Sequence, residues 1–83
     1  MAVLTTATAK GFGDDRYRAL IGTLVEARKA LGLSQQSLAG LLGRHQQFVS
    51  RYELGERRLD AVELVDVART LRLDAAALIA AVP

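Results

Sequence analysis

The sequence contains no cysteine, which excludes a disulfide framework, a thiolate zinc site and a cysteine nucleophile, and fits a reducing cytoplasm. Proline is nearly as scarce: the single one stands at position 83. Only 5% of the residues are aromatic although 51% are hydrophobic, a balance that favours compact helices over a sheet. No apolar run approaches the roughly 20 residues needed to span a bilayer. The N-terminus also lacks the basic-then-apolar order of a secretory signal. Chemistry-bearing clusters are missing too. His45 is the only histidine and has no carboxylate cluster near it, so no metal site is expected. No serine–histidine–acid set and no phosphate-cradling glycine loop occurs, so neither enzymatic activity nor a cofactor is expected.

What is present is a small, well-patterned chain. Eighty-three residues predict one domain with a tightly packed core and no room for a separate ligand-sensing or oligomerisation domain. Net charge is only +2, but its distribution is uneven. Residues 1–27 balance three basic against three acidic side chains. Residues 28–58 hold Arg28, Lys29, Arg44, Arg51, Arg57 and Arg58 against Glu53 and Glu56, a net +4; residues 59–83 carry two basic and four acidic residues. Such a central positive segment suits a phosphate-facing surface.

Residues 1–13 show no sustained periodicity and read as a flexible arm, with residues 14–83 forming the domain. Asp14 or Asp15 can cap a first helix, along which Tyr17, Leu20, Leu24, Ala27 and Leu31 recur at three- and four-residue steps, and Gly32 ends it. Ser34 caps a second helix reaching about Leu42, with Leu38, Leu41 and Leu42 turned inward. A third runs from about Gln46 to Glu53 and stops at Gly55. Asp60 with Glu63 forms an acidic capping box for a fourth, whose Val62, Leu64, Val65, Ala68 and Leu71 are the expected inner face. Asp74 starts a last short helix, Ala75 to Ala81, which carries Leu78 and Ile79 and is followed by Val82. The expected fold is all-α, a compact five-helix bundle.

The run from Ser34 to Glu53 is the most specific signal. Ala39 follows Gln35 by four positions, Gly43 follows Ala39 by four, and Val49 follows Gly43 by six. Two short helices crossing steeply through a tight turn need a small residue at the approach, a residue tolerant of φ > 0 in the turn and an apolar anchor in the second helix. The second helix then shows solvent Gln46, Gln47, Ser50 and Arg51, side chains suited to base edges in a major groove.

Arg28, Gly32-Leu33-Ser34-Gln35, Leu38-Ala39, Gly43, Gln46-Gln47, Val49-Ser50 and Glu53-x-Gly55 together resemble the phage-repressor and Cro-type, or Xre-like, helix-turn-helix family, over roughly residues 17–80. The resemblance implies a bundle of the phage-repressor DNA-binding type, with the helix-turn-helix formed by helices 2 and 3. It further implies a sequence-specific transcriptional regulator, a repressor binding double-stranded DNA as a homodimer on a two-fold symmetric operator, in the cytoplasm at the nucleoid.

Under that resemblance Gln46, Gln47, Ser50 and Arg51 contact bases. Gln35, which also braces Gln46, contacts the DNA backbone together with Arg44, Arg57 and Arg58. Arg57 has a base edge as its other target, and Arg28 with Glu53 forms a partly buried structural ion pair. Two positions depart from the family pattern: Leu54 replaces a polar residue and Phe48 a small one. The alternative reading is an antitoxin or adaptor whose main role is binding a protein partner, a toxin or the transcription machinery.

Overall fold

The computed structural model describes residues 14–83, five α-helices in the order α1 (Asp15–Ala30), α2 (Gln35–Leu42), α3 (Gln46–Leu54), α4 (Ala61–Thr70) and α5 (Ala75–Ala80). The arm expected at residues 1–13 lies outside the described residues. Each helix start has a local cause. The Asp14 carboxylate accepts the backbone N–H of Arg16 at 2.8 Å, and Ser34 Oγ accepts that of Ser37 at 2.9 Å. Asp60 and Glu63 close a reciprocal capping box at 2.7 and 3.0 Å, and Asp74 accepts from Ala76 and Ala77. These bonds satisfy amide groups that have no intrahelical partner. Only His45, at the head of α3, makes no capping bond with its side chain.

The turn between α2 and α3 depends on Gly43. Its φ is +68°, and its N–H bonds the carbonyls of Ala39 and Gly40, while Arg44 N–H returns to Ala39 O at 2.9 Å. A left-handed residue closes the helix in one step and redirects the chain steeply, and glycine does so without a Cβ penalty. Ala39 is 1% exposed, so its small side chain lets α2 and α3 approach closely.

The core is built by Ile21 and Leu24 of α1, Leu38 and Ala39 of α2, Phe48, Val49 and Tyr52 of α3, and Leu64, Val67 and Leu71 from α4 and its C-cap. Burying one such large apolar side chain contributes about 1.5–3 kcal/mol. Three residues expected inside are instead exposed, Leu31, Leu41 and Val62, and in the apolar tail Ile79 and Val82 are exposed as well. Helical geometry explains two of them. On α2 the buried side is set by Leu38 and Ala39, joined by the partly buried Leu42; at 100° per residue Leu41 falls about 60° outside that sector. On α4, Leu64, Val67, Ala68 and Leu71 share a stripe, and Val62 lies nearly opposite it. Leu31 is a C-cap residue beyond the last turn of α1. α5 contacts the core through Leu78 and leaves Ile79 to solvent.

One helix end carries strain. Gly32, Gly43 and Gly55 take positive φ at the ends of α1, α2 and α3, but the corresponding residue after α4 is Arg72, at φ +63°. A non-glycine residue in this region costs about 1–2 kcal/mol. Arg72→Gly is therefore expected to stabilise the domain by about 0.5–1 kcal/mol, after allowing for glycine's greater freedom when unfolded. Thermal melting checks this: a Tm rise of a few degrees is expected, and a fall would refute the strain.

Candidate nucleic-acid interface

α3 has two chemically distinct sides. Phe48, Val49 and Tyr52 are buried, whereas Gln46, Gln47 and Arg51 are exposed and Ser50 is half-buried. The 3.6-residue repeat puts Gln46, Gln47, Ser50, Arg51 and Leu54 on one contiguous face. Leu54, 63% exposed, thus places an apolar side chain at the C-terminal end of an otherwise polar face.

This face is tied to the interior by a relay of side chains. Arg28, near the end of α1, donates from Nε to Glu53 Oε2 at 2.7 Å and from Nη2 to Glu53 Oε1 at 3.0 Å. A third donor, Nη1, reaches the carbonyl of Leu33 at 2.8 Å, in the loop before α2. Gln35 Nε2 then donates to the same Glu53 Oε1 at 2.9 Å, and Gln46 Nε2 donates to Gln35 Oε1 at 3.2 Å. Both charged side chains are nearly buried, at 10% and 7% exposure. The bond to Glu53 raises the Arg28 pKa above its ordinary value, so the guanidinium stays charged. Three helices meet at one carboxylate, and the chain of bonds ends on the exposed Gln46.

The arginines flanking α3 occupy different settings. Arg57 forms a two-bond fork on Glu63, Nη1 to Oε1 and Nη2 to Oε2, each at 2.8 Å. The sequence-based expectation assigns Arg57 to DNA, but its guanidinium is committed to this carboxylate. Arg44 makes a single 3.3 Å contact with Glu63 Oε2. Both guanidinium groups lie near the Phe48 ring, with 4.0 Å from Arg44 and 5.0 Å from Arg57 to its centroid. Arg58 lies over the Tyr17 ring of α1 at 4.2 Å, and Tyr17 Oη accepts the Leu59 N–H. The hydrogen bond from Arg57, ahead of the other neighbours, lowers the Glu63 carboxyl from 4.5 to about 2. Its contribution to stability is complete above pH 4.5 and is lost as pH falls toward 2.

Sequence reasoning gives Glu63 only a capping role. Its second role, gathering Arg44 and Arg57, joins residues up to 19 positions apart and has no local signature. Phe48, an anomaly in the sequence, is the platform under both arginines and meets Tyr52 edge-on at 5.6 Å. Among the described residues no group of three or more His, Asp or Glu residues converges as a metal site, and no helix is long and apolar enough to cross a membrane.

A helix-turn-helix family model matches residues 24–78, which covers α2, the Gly43 turn, α3 and α4. The chain belongs to the Xre-like helix-turn-helix family. It is similar to an XRE-family like protein from Pseudomonas syringae pv. tomato str. DC3000, with 44% identity over 90% of this chain and 92% of that one, at a TM-score of 0.79. It is also similar to the restriction-modification controller protein C.AhdI from Aeromonas hydrophila, with 33% identity over 77% of this chain and 96% of that one, at a TM-score of 0.67. No curated protein matched the sequence. This Xre-like protein is accordingly a DNA-binding transcription regulator.

The buried relay makes a direct stability prediction. Arg28→Ala strands the Glu53 carboxylate and the Leu33 carbonyl in a desolvated setting, and the expected loss is about 3–5 kcal/mol. Chemical denaturation reads the loss; an unchanged midpoint would show that the pair does not hold α3.

Proposed function

We propose that this Xre-like protein is a repressor that binds a two-fold symmetric operator as a homodimer, in the cytoplasm at the nucleoid, with α3 entering the major groove. The observation that carries this reading is the exposed face of α3, whose first residue, Gln46, is braced from the core through Gln35 and Glu53. Gln46 and Gln47 stand at the N-terminal end of the helix, where side chains reach base edges, and a glutamine amide matches adenine N6 and N7. Ser50 and Arg51 lie one turn on, and Arg51 is long enough for guanine O6 and N7. Gln35, Arg44 and Arg58 border this face as backbone-binding groups, while Arg57 is held by Glu63; backbone contacts set register and affinity more than sequence.

Dimerisation would place two copies of α3 in successive major grooves about 34 Å apart. The surface that best fits a second copy is formed by α1 and α5. Val82 lines an apolar pocket of about 310 Å³ together with Ala19, Leu20, Leu78 and Ala81, and Ile79 of α5 is exposed. The names of its similar structures, an XRE-family protein and a restriction-modification controller, agree with control of gene expression as the role.

Binding to mixed genomic DNA across a salt series tests the reading. Affinity should fall steeply, with a log–log slope of several units from released counterions. A flat response would overturn it in favour of a protein-binding role. Gln46→Ala should then cost about 1–3 kcal/mol at the preferred site and little on random DNA; equal losses on both would remove Gln46 from base reading.

A further inference from the structure

Arg44 and Arg57 lie on either side of α3 in sequence, yet both close on Glu63. Their roles there are unequal. A guanidinium has five N–H donors. Arg57 commits both terminal nitrogens to Glu63, and its Nη1 also reaches the Arg58 carbonyl at 3.2 Å. Arg44 gives the carboxylate one longer contact and, among the described residues, its side chain makes no other hydrogen bond. Exposure follows the same order of depth: the Glu63 side chain is 12% exposed, while those of Arg44 and Arg57 are 41% and 39% exposed. The carboxylate is therefore covered by the two cations, and the trio presents a net charge of +1 to solvent.

We propose that Glu63 is a positioning residue for DNA binding: it fixes Arg57 as a strut and lays Arg44 across Phe48, so that Arg44 meets a backbone phosphate beside the start of α3. The inference rests on the proposed DNA reading and deepens it. Glu63 is suited to this because its own position is set by the α4 capping box, where Oε1 accepts the Asp60 N–H at 3.0 Å. Phe48 is equally fixed, 8% exposed and packed edge-on against Tyr52. An arginine held by a carboxylate and an aromatic face loses less freedom when it binds than one that is free in solvent. Its unused donors allow it to take a phosphate without releasing Glu63.

The test is a double-mutant cycle on a short mixed-sequence duplex, read by fluorescence anisotropy between about 50 and 200 mM salt. Arg44→Ala should make the log–log slope shallower by about 0.9, the share of one phosphate, and weaken binding by roughly threefold at low salt. Glu63→Gln keeps a side chain that capping boxes accept and should give a loss of the same size and sign. The double variant should bind no more weakly than Arg44→Ala alone. If Glu63→Gln lowers the Tm but keeps the wild-type slope and affinity, or if the two losses multiply, the positioning role is refuted. Should Glu63→Gln melt below the assay temperature, Arg57→Met runs the same cycle with the capping box intact: a non-additive loss supports the positioning role, and wild-type binding or multiplying losses refute it. Failure of the wild type to show salt-dependent binding is a separate result: it overturns the DNA reading and this inference with it.

Discussion

The bidentate bond between Arg28 and Glu53 is the interaction on which the rest of this structure depends. It is nearly buried, and a buried ion pair is weak evidence for stability, because desolvating two charges offsets much of their attraction. Its value here is geometric. Arg28 reaches α3 through Glu53 and the loop before α2 through Leu33, and Glu53 also receives Gln35. One carboxylate thus fixes the mutual placement of α1, α2 and α3 on the side where Gln46 emerges. Apolar contacts alone, around Leu24, Leu38 and Val49, hold the helices together without specifying a side-chain orientation at the surface.

A second carboxylate repeats the device on the other flank. Glu63 receives a capping amide, a strut from Arg57 and a contact from Arg44, and its low pKa keeps it charged throughout the physiological range. Glu53 braces, through Gln35, the glutamine that starts the exposed face of α3, and Glu63 gathers the basic groups beside it. Both acids lie beneath more exposed donors. A region bearing negative charges can therefore face a polyanion, because each carboxylate is covered by its own donors.

Much of the fold is written locally in the sequence. Asp14, Ser34, Asp60 and Asp74 are caps by residue type and position, and Gly43 and Gly55 mark helix ends. The contrast within α3 between buried Phe48, Val49 and Tyr52 and exposed Gln46, Gln47 and Arg51 follows from helical periodicity. Apolarity misleads where the protein uses leucine or valine off the core face, as at Leu41 and Val62 on short helices with narrow buried stripes. The convergence of Arg44, Arg57 and Phe48 on Glu63 is illegible in the sequence, because it depends on α4 packing against α2 and bringing Glu63 to the two ends of α3. The Arg28–Glu53 pair, 25 residues apart, is reached through family resemblance and not through local spacing.

The central claim is that base preference at α3 is imposed from within, through Glu53 and Gln35 onto Gln46. Selection of bound sequences from a random DNA pool, run in parallel for the wild type and Gln35→Met, tests it most directly. The wild type should enrich a two-fold symmetric site with half-sites about one helical turn apart, and Gln35→Met should lose discrimination at one base position per half-site while still binding DNA. An identical base preference in both proteins would contradict the claim.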